Sequence, residues 1–394
     1  MRVAFGIIRL FREGGLQRDC VRLARLMARR GHDVTIFTSE NRWDAAADDV
    51  AITVLPVHAR TNHGTDWAFA RQFAAAAAGK FDRTVGFNKL TGLDVLYCAD
   101  PPVAERPRHW WQRVLPRYRA RLRLEGESFG PDATTHIIAL TKAARDAYRR
   151  HWGLDAGRFT VMPPGLDDAR RQPELREPSR REALRAALGI AGNQPVWLWI
   201  GAQPRTKGLD RVLNALATRP QALLLVVGVT ERDGDGAAAA AQAARLDLAG
   251  RVRFLGFRED IVKLLAAADA LVHPARLDVS GQVILEALVN GLPSVVTGCC
   301  GFSEHVQAAG AGIMLPEPFV QADLDAAVVW ITDPTLAAAF SKSGIDYGHN
   351  VVSRDGLTVA VDVIEQATGG RLGPAPTARQ ADIRAEMPGR ERAR

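Results

Sequence analysis

Cysteine is scarce in this chain, with four residues among 394. They are Cys20, Cys98, Cys299 and Cys300, and their positions do not have the spacing of a metal-binding motif. Adjacent cysteines such as Cys299 and Cys300 rarely form a structural disulfide, so we expect reduced thiols, as in a cytoplasmic protein. The scarcity excludes a disulfide-stabilised scaffold, and the spacing predicts no metal site.

Long apolar runs are also missing. The longest, such as Ala222–Val229, have the length of a β-strand, whereas a membrane span needs about 20 apolar residues. The first residues lead directly into strand-like sequence and show no cleavable signal pattern. We therefore expect neither a transmembrane helix nor a secretory leader.

The composition is that of a soluble globular protein, with 47% hydrophobic and 24% charged residues. The length predicts about two domains, each on the order of 150–200 residues. The formal net charge is +7, which admits nucleic acid, an anionic membrane or a phosphorylated substrate as a partner. Net charge alone does not choose among these partners.

Short apolar runs alternate with helical stretches along most of the chain. The first series of runs is Arg2–Ile8, Asp33–Ser39, Ile52–Val57, Arg83–Phe87, Val95–Ala99 and His136–Leu140. The second series is Val196–Gly201, Ala222–Gly228, Val252–Leu255, Ala270–His273 and Ser294–Thr297. Such alternation is typical of parallel sheets with helices on both faces. The predicted fold is therefore α/β, with two Rossmann-like doubly wound domains that face each other across a cleft.

The alternation breaks near Pro163-Pro164-Gly165, and the charged stretch Asp167–Arg181 has the composition of an interdomain linker. We predict one domain at 1–165 and a second at 166–335, with a C-terminal helix at about 336–368 that closes the first. The tail at 369–394 is rich in Gly, Pro, Arg and Glu and has little apolar periodicity, which predicts disorder.

Two carboxylates lie eight positions apart in the segment that follows the run Ala270–His273. Asp278 is in a loop, Gly281 opens a helix, and Glu286 falls within that helix. A helix N-terminus presents free amides to an anion, so a nucleotide diphosphate fits there, with Asp278 at the sugar hydroxyls and Glu286 at the ribose diol. Taken alone, the spacing is common, and a loop acid and a solvated helix acid are the simpler interpretation.

Several short sequence segments resemble those of a known family, and this resemblance favours the nucleotide-binding interpretation over the simpler one. They are Gly14-Gly15-Leu16-Gln17-Arg18-Asp19, Thr61-Asn62-His63-Gly64, Val85-Gly86-Phe87-Asn88-Lys89, Gly92-Leu93-Asp94-Val95, Pro163-Pro164-Gly165, and the run from His273-Pro274 through Asp278 and Glu286 to Gly291-Leu292-Pro293. The last resembles the donor motif of retaining GT-B glycosyltransferases of family 4. Most of the first 365 residues resemble the lipopolysaccharide core glucosyltransferase I family more closely.

The resemblance implies a donor site in the second domain and an acceptor site in the first. The implied donor-binding residues are Gly14, Gly15, Arg170, Arg205, Lys207, Asp278, Ser280, Gly281, Gln282, Val283 and Glu286. Lys207 would neutralise the departing UDP, and an ordinary linker charge remains the alternative for Arg170. The family usually has Glu where this chain has Asp278, which opens the question of the donor sugar.

Catalytic roles are predicted for Asp278, Lys207, Asp100 and Asp19. Asp19 and Asp100 are the acids expected to face the acceptor, and a structural pairing with an arginine is the alternative for each. Asp233-Gly-Asp235 has the form of a metal-binding motif, but Asp-Gly is ordinary turn chemistry, so no metal is predicted there. His273 and His305 are expected to be buried and hydrogen-bonded.

Arginines alternate with aromatic residues between Arg106 and Arg123. The predicted membrane-contacting residues are Arg106, Arg108, Trp110, Trp111, Arg113, Arg117, Tyr118 and Arg119. Such a cluster suits an anionic membrane surface. The alternatives are a nucleic-acid surface and a solvated helix face, and Pro116 is expected to interrupt that helix. The resemblance favours the membrane, because the family uses this region on the inner membrane.

The implied activity is retaining, metal-independent transfer of glucose from UDP-glucose to an inner-core heptose of lipopolysaccharide, in α-1,3 linkage. The implied partners are the UDP-sugar, a lipid-linked heptosylated core acceptor and the cytoplasmic face of the inner membrane, with no nucleic acid and no cofactor. One alternative keeps the fold but uses UDP-N-acetylhexosamine, UDP-galactose or GDP-mannose. Another is a membrane-bound sensor that binds the donor without turnover.

Overall fold

The structure is a computed structural model that describes residues 1–12, 14–43, 50–105, 110–232, 234–248, 250–354 and 356–367. Three groups of sequence-based predictions lie outside these residues. They concern the tail 369–394, the arginines Arg106 and Arg108, and Asp233 of the Asp-Gly-Asp motif. Asp235 is described, and it lies in the first turn of a helix.

The first half of the chain alternates strands and helices. The strands are β1 (Arg2–Gly6), β2 (Arg9–Phe11), β3 (Asp33–Thr38), β4 (Glu40–Arg42), β5 (Ala51–Val54), β6 (Arg83–Gly86), β7 (Val95–Cys98), β8 (His136–Ala139) and β9 (Phe159–Val161). The helices are α1 (Gly15–Arg29), α2 (Asn62–Ala77), α3 (Pro116–Phe129) and α4 (Lys142–Trp152). Seven of these strands form one parallel sheet in the order β5-β3-β1-β6-β7-β8-β9, and β2 pairs with β4 separately.

The second half repeats this plan. Its strands are β10 (Val196–Ile200), β11 (Leu223–Val227), β12 (Val252–Phe254), β13 (Ala270–His273), β14 (Ser294–Thr297) and β15 (Gly312–Leu315). Its helices are α5 (Pro178–Ala187), α6 (Leu209–Ala217), α7 (Gly234–Arg245), α8 (Ile261–Ala267), α9 (Gln282–Val289), α10 (Ser303–Ala309), α11 (Gln321–Trp330), α12 (Pro334–Val351) and α13 (Gly356–Gln366). The sheet is parallel, in the order β12-β11-β10-β13-β14-β15.

Both sheets have a topological switch point, where the strand order reverses direction. It lies between β1 and β6 in the first half and between β10 and β13 in the second. Loops at the carboxyl ends of the strands on either side of such a point diverge and leave a crevice in which ligands bind. The structure confirms the predicted pair of doubly wound α/β sheets.

Strand β10 shows why these sequences form buried parallel strands. Val196 and Leu198 belong to the apolar core on one face of the sheet, and Trp197 and Trp199 belong to the core on the other face. Successive side chains of a strand point to opposite faces, and both faces of a parallel sheet are covered by helices. A continuous apolar run therefore folds as a central strand.

The C-terminal helical region differs from the prediction of one closing helix at about 336–368. It contains two helices, of which α12 packs on α9 in the second half and α13 packs on α1 in the first. The chain crosses between the halves at Ser353, which pairs with Gly165, and Gly356 lies against the same glycine. A continuous helix could not make this crossing, because the backbone must be extended there to pair.

Helix α13 completes the core of the first half. Ala360, Val361 and Ile364 are fully buried in the same apolar cluster as Leu23 and Ala24 of α1. Between the halves, the Arg171 guanidinium donates to the carbonyl oxygens of Val352 at 2.6 Å and Ser353 at 2.8 Å, which ties the two crossing segments together.

We expect Ile364→Ala to lower the free energy of unfolding by about 2–5 kcal/mol, because it leaves a cavity beneath the first sheet. Urea denaturation followed by circular dichroism measures this change. Gln366→Ala, at an exposed position of the same helix, should change it by less than about 0.5 kcal/mol. Equal effects of the two substitutions would contradict the role of α13 in this core.

Candidate functional site

The switch point of the second sheet brings together two residues that are 71 positions apart, Lys207 and Asp278. Lys207 follows β10, Asp278 follows β13, and these strands are direct neighbours. The Lys207 Nζ lies 2.8 Å from the Asp278 Oδ2. Parallel topology thus places a cation and a carboxylate at the mouth of the crevice.

Every oxygen of the Asp278 carboxylate has a partner. Oδ1 accepts from the Gly281 amide at 2.9 Å, and Oδ2 accepts from His273 Nε2 at 2.9 Å in addition to Lys207. Burial by itself would raise the pKa of Asp278, but the hydrogen bond from His273 and the charge of Lys207 outweigh it, and the pKa falls to about 2. Asp278 is therefore ionised at neutral pH and held at the start of α9.

The two loops of this crevice are pinned to each other at close range. Gly208 has φ +76°, and a Cβ there would lie 2.0 Å from the carbonyl oxygen of Pro274. Arg276 donates to both oxygens of Asp210 at 2.6 Å. Only glycine permits this approach, and the bidentate ion pair fixes the separation of the loops that carry Lys207 and Asp278.

Glu286 forms an ion pair with Arg170, which comes from the segment that joins the two halves. Asn290 lies one turn further along α9, and its Nδ2 donates to the carbonyl oxygens of Arg170 and Glu286, both at 2.7 Å. The Glu286 side chain is 6% exposed. The predicted ribose-binding acid and the predicted diphosphate-binding arginine thus bind each other in this structure.

A cavity of about 430 Å³ lies between the halves and contains this pair. Gly15, Asp19, Ser280 and Gln282 also line it, whereas Lys207 and Asp278 are not among its described lining residues. Its charged lining consists of Arg18, Arg22, Arg25, Arg29, Arg170, Arg354, Asp19, Asp167 and Glu286. The excess of arginine makes the cavity suited to an anionic ligand.

Four of these arginines form a stripe on α1 that was not among the predicted site residues. Arg18, Arg22, Arg25 and Arg29 follow one another at intervals of four, three and four residues, which places them on one helical face. This interval was visible in the sequence and could have identified the face. Burial lowers the pKa of Arg18, the charge of Arg170 lowers it further, and Glu286 opposes both.

The predicted acceptor-facing acids lie close to one strand, β7. Asp19 accepts a hydrogen bond from the Tyr97 hydroxyl at 3.1 Å, and Asp100 follows the end of the strand. Burial raises the pKa of Asp19, and the charge of Arg22 and the hydrogen bond from Tyr97 oppose that shift without reversing it. Asp19 also lies 3.8 Å from Arg22, so the structural pairing considered as its alternative is present.

Among the described residues, one group of side chains has the proximity of a metal site. Ligand atoms of His273, Asp278 and Cys300 all lie within 4.8 Å of one another. The carboxylate of this group is already bound by Lys207, whose charge would repel a cation.

His273 is buried as predicted, but its Nδ1 has no hydrogen-bond partner in the described part of the chain. The Nδ1 atom of His305 forms a hydrogen bond with the Tyr347 hydroxyl at 2.8 Å.

The other predicted donor-site residues are spread around the crevice. Gly14 precedes α1, where a Cβ would lie 1.7 Å from the side-chain oxygen of Gln17. Arg205 is exposed, and its carbonyl oxygen accepts from Arg276 at 2.7 Å. Gln282 donates to the carbonyl oxygen of Gly165 at 2.9 Å. Val283 is half-buried against the core of the second half.

The described part of the basic aromatic segment (Arg106–Arg123) exposes several side chains on the first half. Trp110 is 79% exposed, and Trp111, Val114, Arg113, Arg117 and Arg119 are also exposed, whereas Tyr118 is half-buried. The expected interruption of a helix at Pro116 is wrong. Pro116 begins α3, at a position where the backbone N–H that proline lacks has no partner within the helix. Across the described ranges, none of the helices combines the length and apolarity that a bilayer span requires.

Known glycosyltransferases resemble this chain in sequence over both halves. A family model described as Glycosyltransferase Family 4 matches residues 13–170, and one described as Glycosyl transferases group 1 matches residues 180–347. The chain is 34% identical over 360 residues to the lipopolysaccharide glucosyltransferase WaaG of Escherichia coli (strain K12), a match that covers 88% of this chain and 94% of that protein. The chain belongs to the lipopolysaccharide glucosyltransferase family.

Solved structures agree with this assignment. The crystal structure of WaaG, described as a glycosyltransferase involved in lipopolysaccharide biosynthesis, matches with a TM-score of 0.86 at 33% identity, over 93% of this chain and 100% of that one. The Anabaena protein HepE, solved with UDP and glucose, matches at 20% identity with a TM-score of 0.72 and shares the fold. The protein is therefore a GT-B glycosyltransferase, as the sequence predicts.

The depressed pKa of Asp278 predicts a pH-dependent contribution to stability. Its folded value is about 2, below the unfolded value of about 3.9, so its ionised form stabilises the fold by on the order of 2 kcal/mol above pH ~4. The contribution decreases as the pH falls, and about half of it is gone at pH ~3.

Urea denaturation of the wild type and Asp278→Asn at several pH values measures this contribution. We expect the difference in unfolding free energy between them to shrink between pH ~5 and pH ~3. Asp323→Asn, at an exposed position of α11, should differ little from the wild type throughout. A wild-type advantage over Asp278→Asn that is constant across this range would contradict the assignment.

Proposed function

We propose that this glycosyltransferase moves glucose from UDP-glucose to an inner-core heptose of lipopolysaccharide, with retention of the anomeric configuration and an α-1,3 linkage. The observation that carries the proposal is the near-full-length relation to a lipopolysaccharide glucosyltransferase, at 34% identity. The lysine and two acids of the predicted donor motif lie in the crevice of the second sheet, which supports a nucleotide-sugar donor.

Donor binding would replace an ion pair that is already formed. Glu286 and Arg170 are bound to each other in this structure. A ribose diol would take the carboxylate of Glu286, and the freed Arg170 guanidinium would bind the diphosphate. Because each charge exchanges one partner for another, neither is left unpaired when the donor binds.

In this proposal, Lys207 stabilises the leaving group. As the bond between the glucose C1 and the β-phosphate oxygen breaks, negative charge grows on the UDP, and a fixed ammonium nearby lowers the barrier. The Lys207 chain is held by Asp278 at 2.8 Å. In the proposed reaction the heptose hydroxyl attacks C1 from the same face, and the departing phosphate takes its proton.

A second candidate keeps the fold and the pathway but changes the donor to UDP-N-acetylhexosamine, UDP-galactose or GDP-mannose. The observation that favours it is Asp278 itself, which is bound by His273, Lys207 and the Gly281 amide and whose side chain is one methylene shorter than the glutamate usual in the family. In this second candidate, the shorter acid leaves room at the sugar. A larger substituent on the sugar, or a water between the sugar and Asp278, would occupy that space.

The proposal also places the protein on the cytoplasmic face of the inner membrane, without nucleic acid as a partner. Trp110, Trp111 and Val114 are exposed together, beside Arg113 and Arg117. Exposed tryptophans anchor at headgroup depth, and arginines are attracted to anionic lipids. Attachment there would bring the enzyme to an acceptor that is itself lipid-linked.

We expect Glu286→Gln to lower kcat/KM for glucose transfer by at least about 100-fold, because the neutral amide loses the charge-assisted hydrogen bonds to the ribose. The assay measures UDP or GDP release with a panel of nucleotide sugars and a truncated heptosylated acceptor. Glu304→Gln, at an exposed acid of α10, is the matched control and should retain activity.

Full activity of Glu286→Gln would overturn the donor site, and preference for another sugar would favour the second candidate. Donor binding without turnover would instead support a sensor.

Membrane attachment is tested by vesicle co-sedimentation. Replacing Arg113, Arg117 and Arg119 with alanine should weaken binding to phosphatidylglycerol-containing vesicles by about fivefold per arginine, since each contributes about 1 kcal/mol. The matched control replaces three exposed arginines of the second half, Arg180, Arg232 and Arg245. Equal losses in the two variants would show that net charge, and not this segment, binds the vesicle.

A further inference from the structure

Side chains make several of the hydrogen bonds that hold the loop 100–103, which follows β7. Pro101 and Pro102 have no amide hydrogen, so this loop cannot be fixed by backbone donors at those positions. The Tyr148 hydroxyl donates to the carbonyl oxygen of Asp100 at 2.9 Å, and the Lys89 ammonium donates to that of Pro101 at 3.2 Å. The next amide, of Val103, donates to Glu125 at 2.9 Å.

Glu125 is at the centre of this arrangement and is fully buried. Its Oε2 accepts from the Lys89 ammonium at 2.5 Å as well as from the Val103 amide, and its Oε1 accepts from the Trp152 indole at 2.9 Å. Lys89 is 10% exposed and lies 5.3 Å from the centre of the Tyr148 ring. Removing both charges from water has a large desolvation cost, so stability alone is a weak reason for this pair.

The pair joins three parts of the first half. Lys89 follows β6 and the loop 100–103 follows β7, which are neighbouring strands, so both lie at the carboxyl edge of the sheet that faces the cleft. Glu125 lies on α3, two residues after the basic aromatic segment ends at Arg123, and Val103 lies three residues before that segment begins at Arg106. The segment includes the exposed Trp110. A single carboxylate therefore fastens both ends of the basic aromatic segment to the loop that bears Asp100.

We propose that Lys89 and Glu125 are positioning residues for the acceptor, which hold Asp100 at a fixed place relative to the basic aromatic segment. The inference rests on the proposed function, because it assigns the acceptor to this side of the cleft. In this arrangement, the basic aromatic segment that attaches to the membrane and the loop that bears Asp100 move as one body. The lipid-linked hydroxyl then meets the donor at a defined depth.

The test measures KM for the acceptor and for the donor separately. Glu125→Gln keeps the shape of the side chain but removes its charge, and we expect the acceptor KM to rise at least about fivefold while the donor KM stays within about twofold. Tyr148→Phe deletes one hydrogen bond to the loop and keeps the ring stacked 4.1 Å from Phe129. It should shift the acceptor KM in the same direction by a smaller factor, and it decides the question if Glu125→Gln does not fold.

Trp152→Phe is the matched control, because it removes a hydrogen bond to the same carboxylate without touching the loop 100–103. Both KM values should stay at the wild-type level in this variant. A lower melting temperature with an unchanged acceptor KM in Glu125→Gln and Tyr148→Phe would overturn the inference and leave a structural role. A wild type that transfers sugar to no heptosylated acceptor would instead overturn the proposed function, whatever the variants do.

Discussion

The close approach of two loops at the switch point of the second sheet is the constraint on which the site depends. Gly208 lies against the carbonyl oxygen of Pro274, in a backbone conformation that a side chain would not permit. Arg276 and Asp210 then fix the same two loops by charge. If the loops separated by even a few ångströms, the Lys207 ammonium and the Asp278 carboxylate would no longer share a crevice, and the start of α9 would lose its anchor.

The charged side chains of the site are bound to one another in ion pairs. Lys207 is bound to Asp278, Arg170 to Glu286, and Arg22 to Asp167. A site built in this way is preorganised, because the side chains need not be gathered when the ligand arrives. It is also selective, since a ligand must offer groups that replace what each pair gives up. In the proposed reaction, a nucleotide diphosphate would offer its anionic phosphates to Arg170 and its ribose diol to Glu286.

The sequence predicted the parts of this protein that local patterns encode. Apolar runs gave the strands, and the position of Lys207 and Asp278 after two of those runs placed both at the same edge of a sheet. The partners of these residues were not predictable in this way. The Lys89–Glu125 pair joins residues 36 positions apart on different elements, and no periodicity marks it. The break between α12 and α13 was missed because it arises from a crossing at Gly165, nearly 190 residues earlier, which no local signal reports.

Helix α13 has a consequence for the order in which the chain folds during synthesis. Domains commonly fold in the order in which they leave the ribosome. Here the first sheet is complete by Val161, yet the part of its core that α13 shares with α1 stays incomplete until residues 356–367 have been made. The second half has all its strands by Leu315. The half that is translated first therefore completes its core only after the second half has been made.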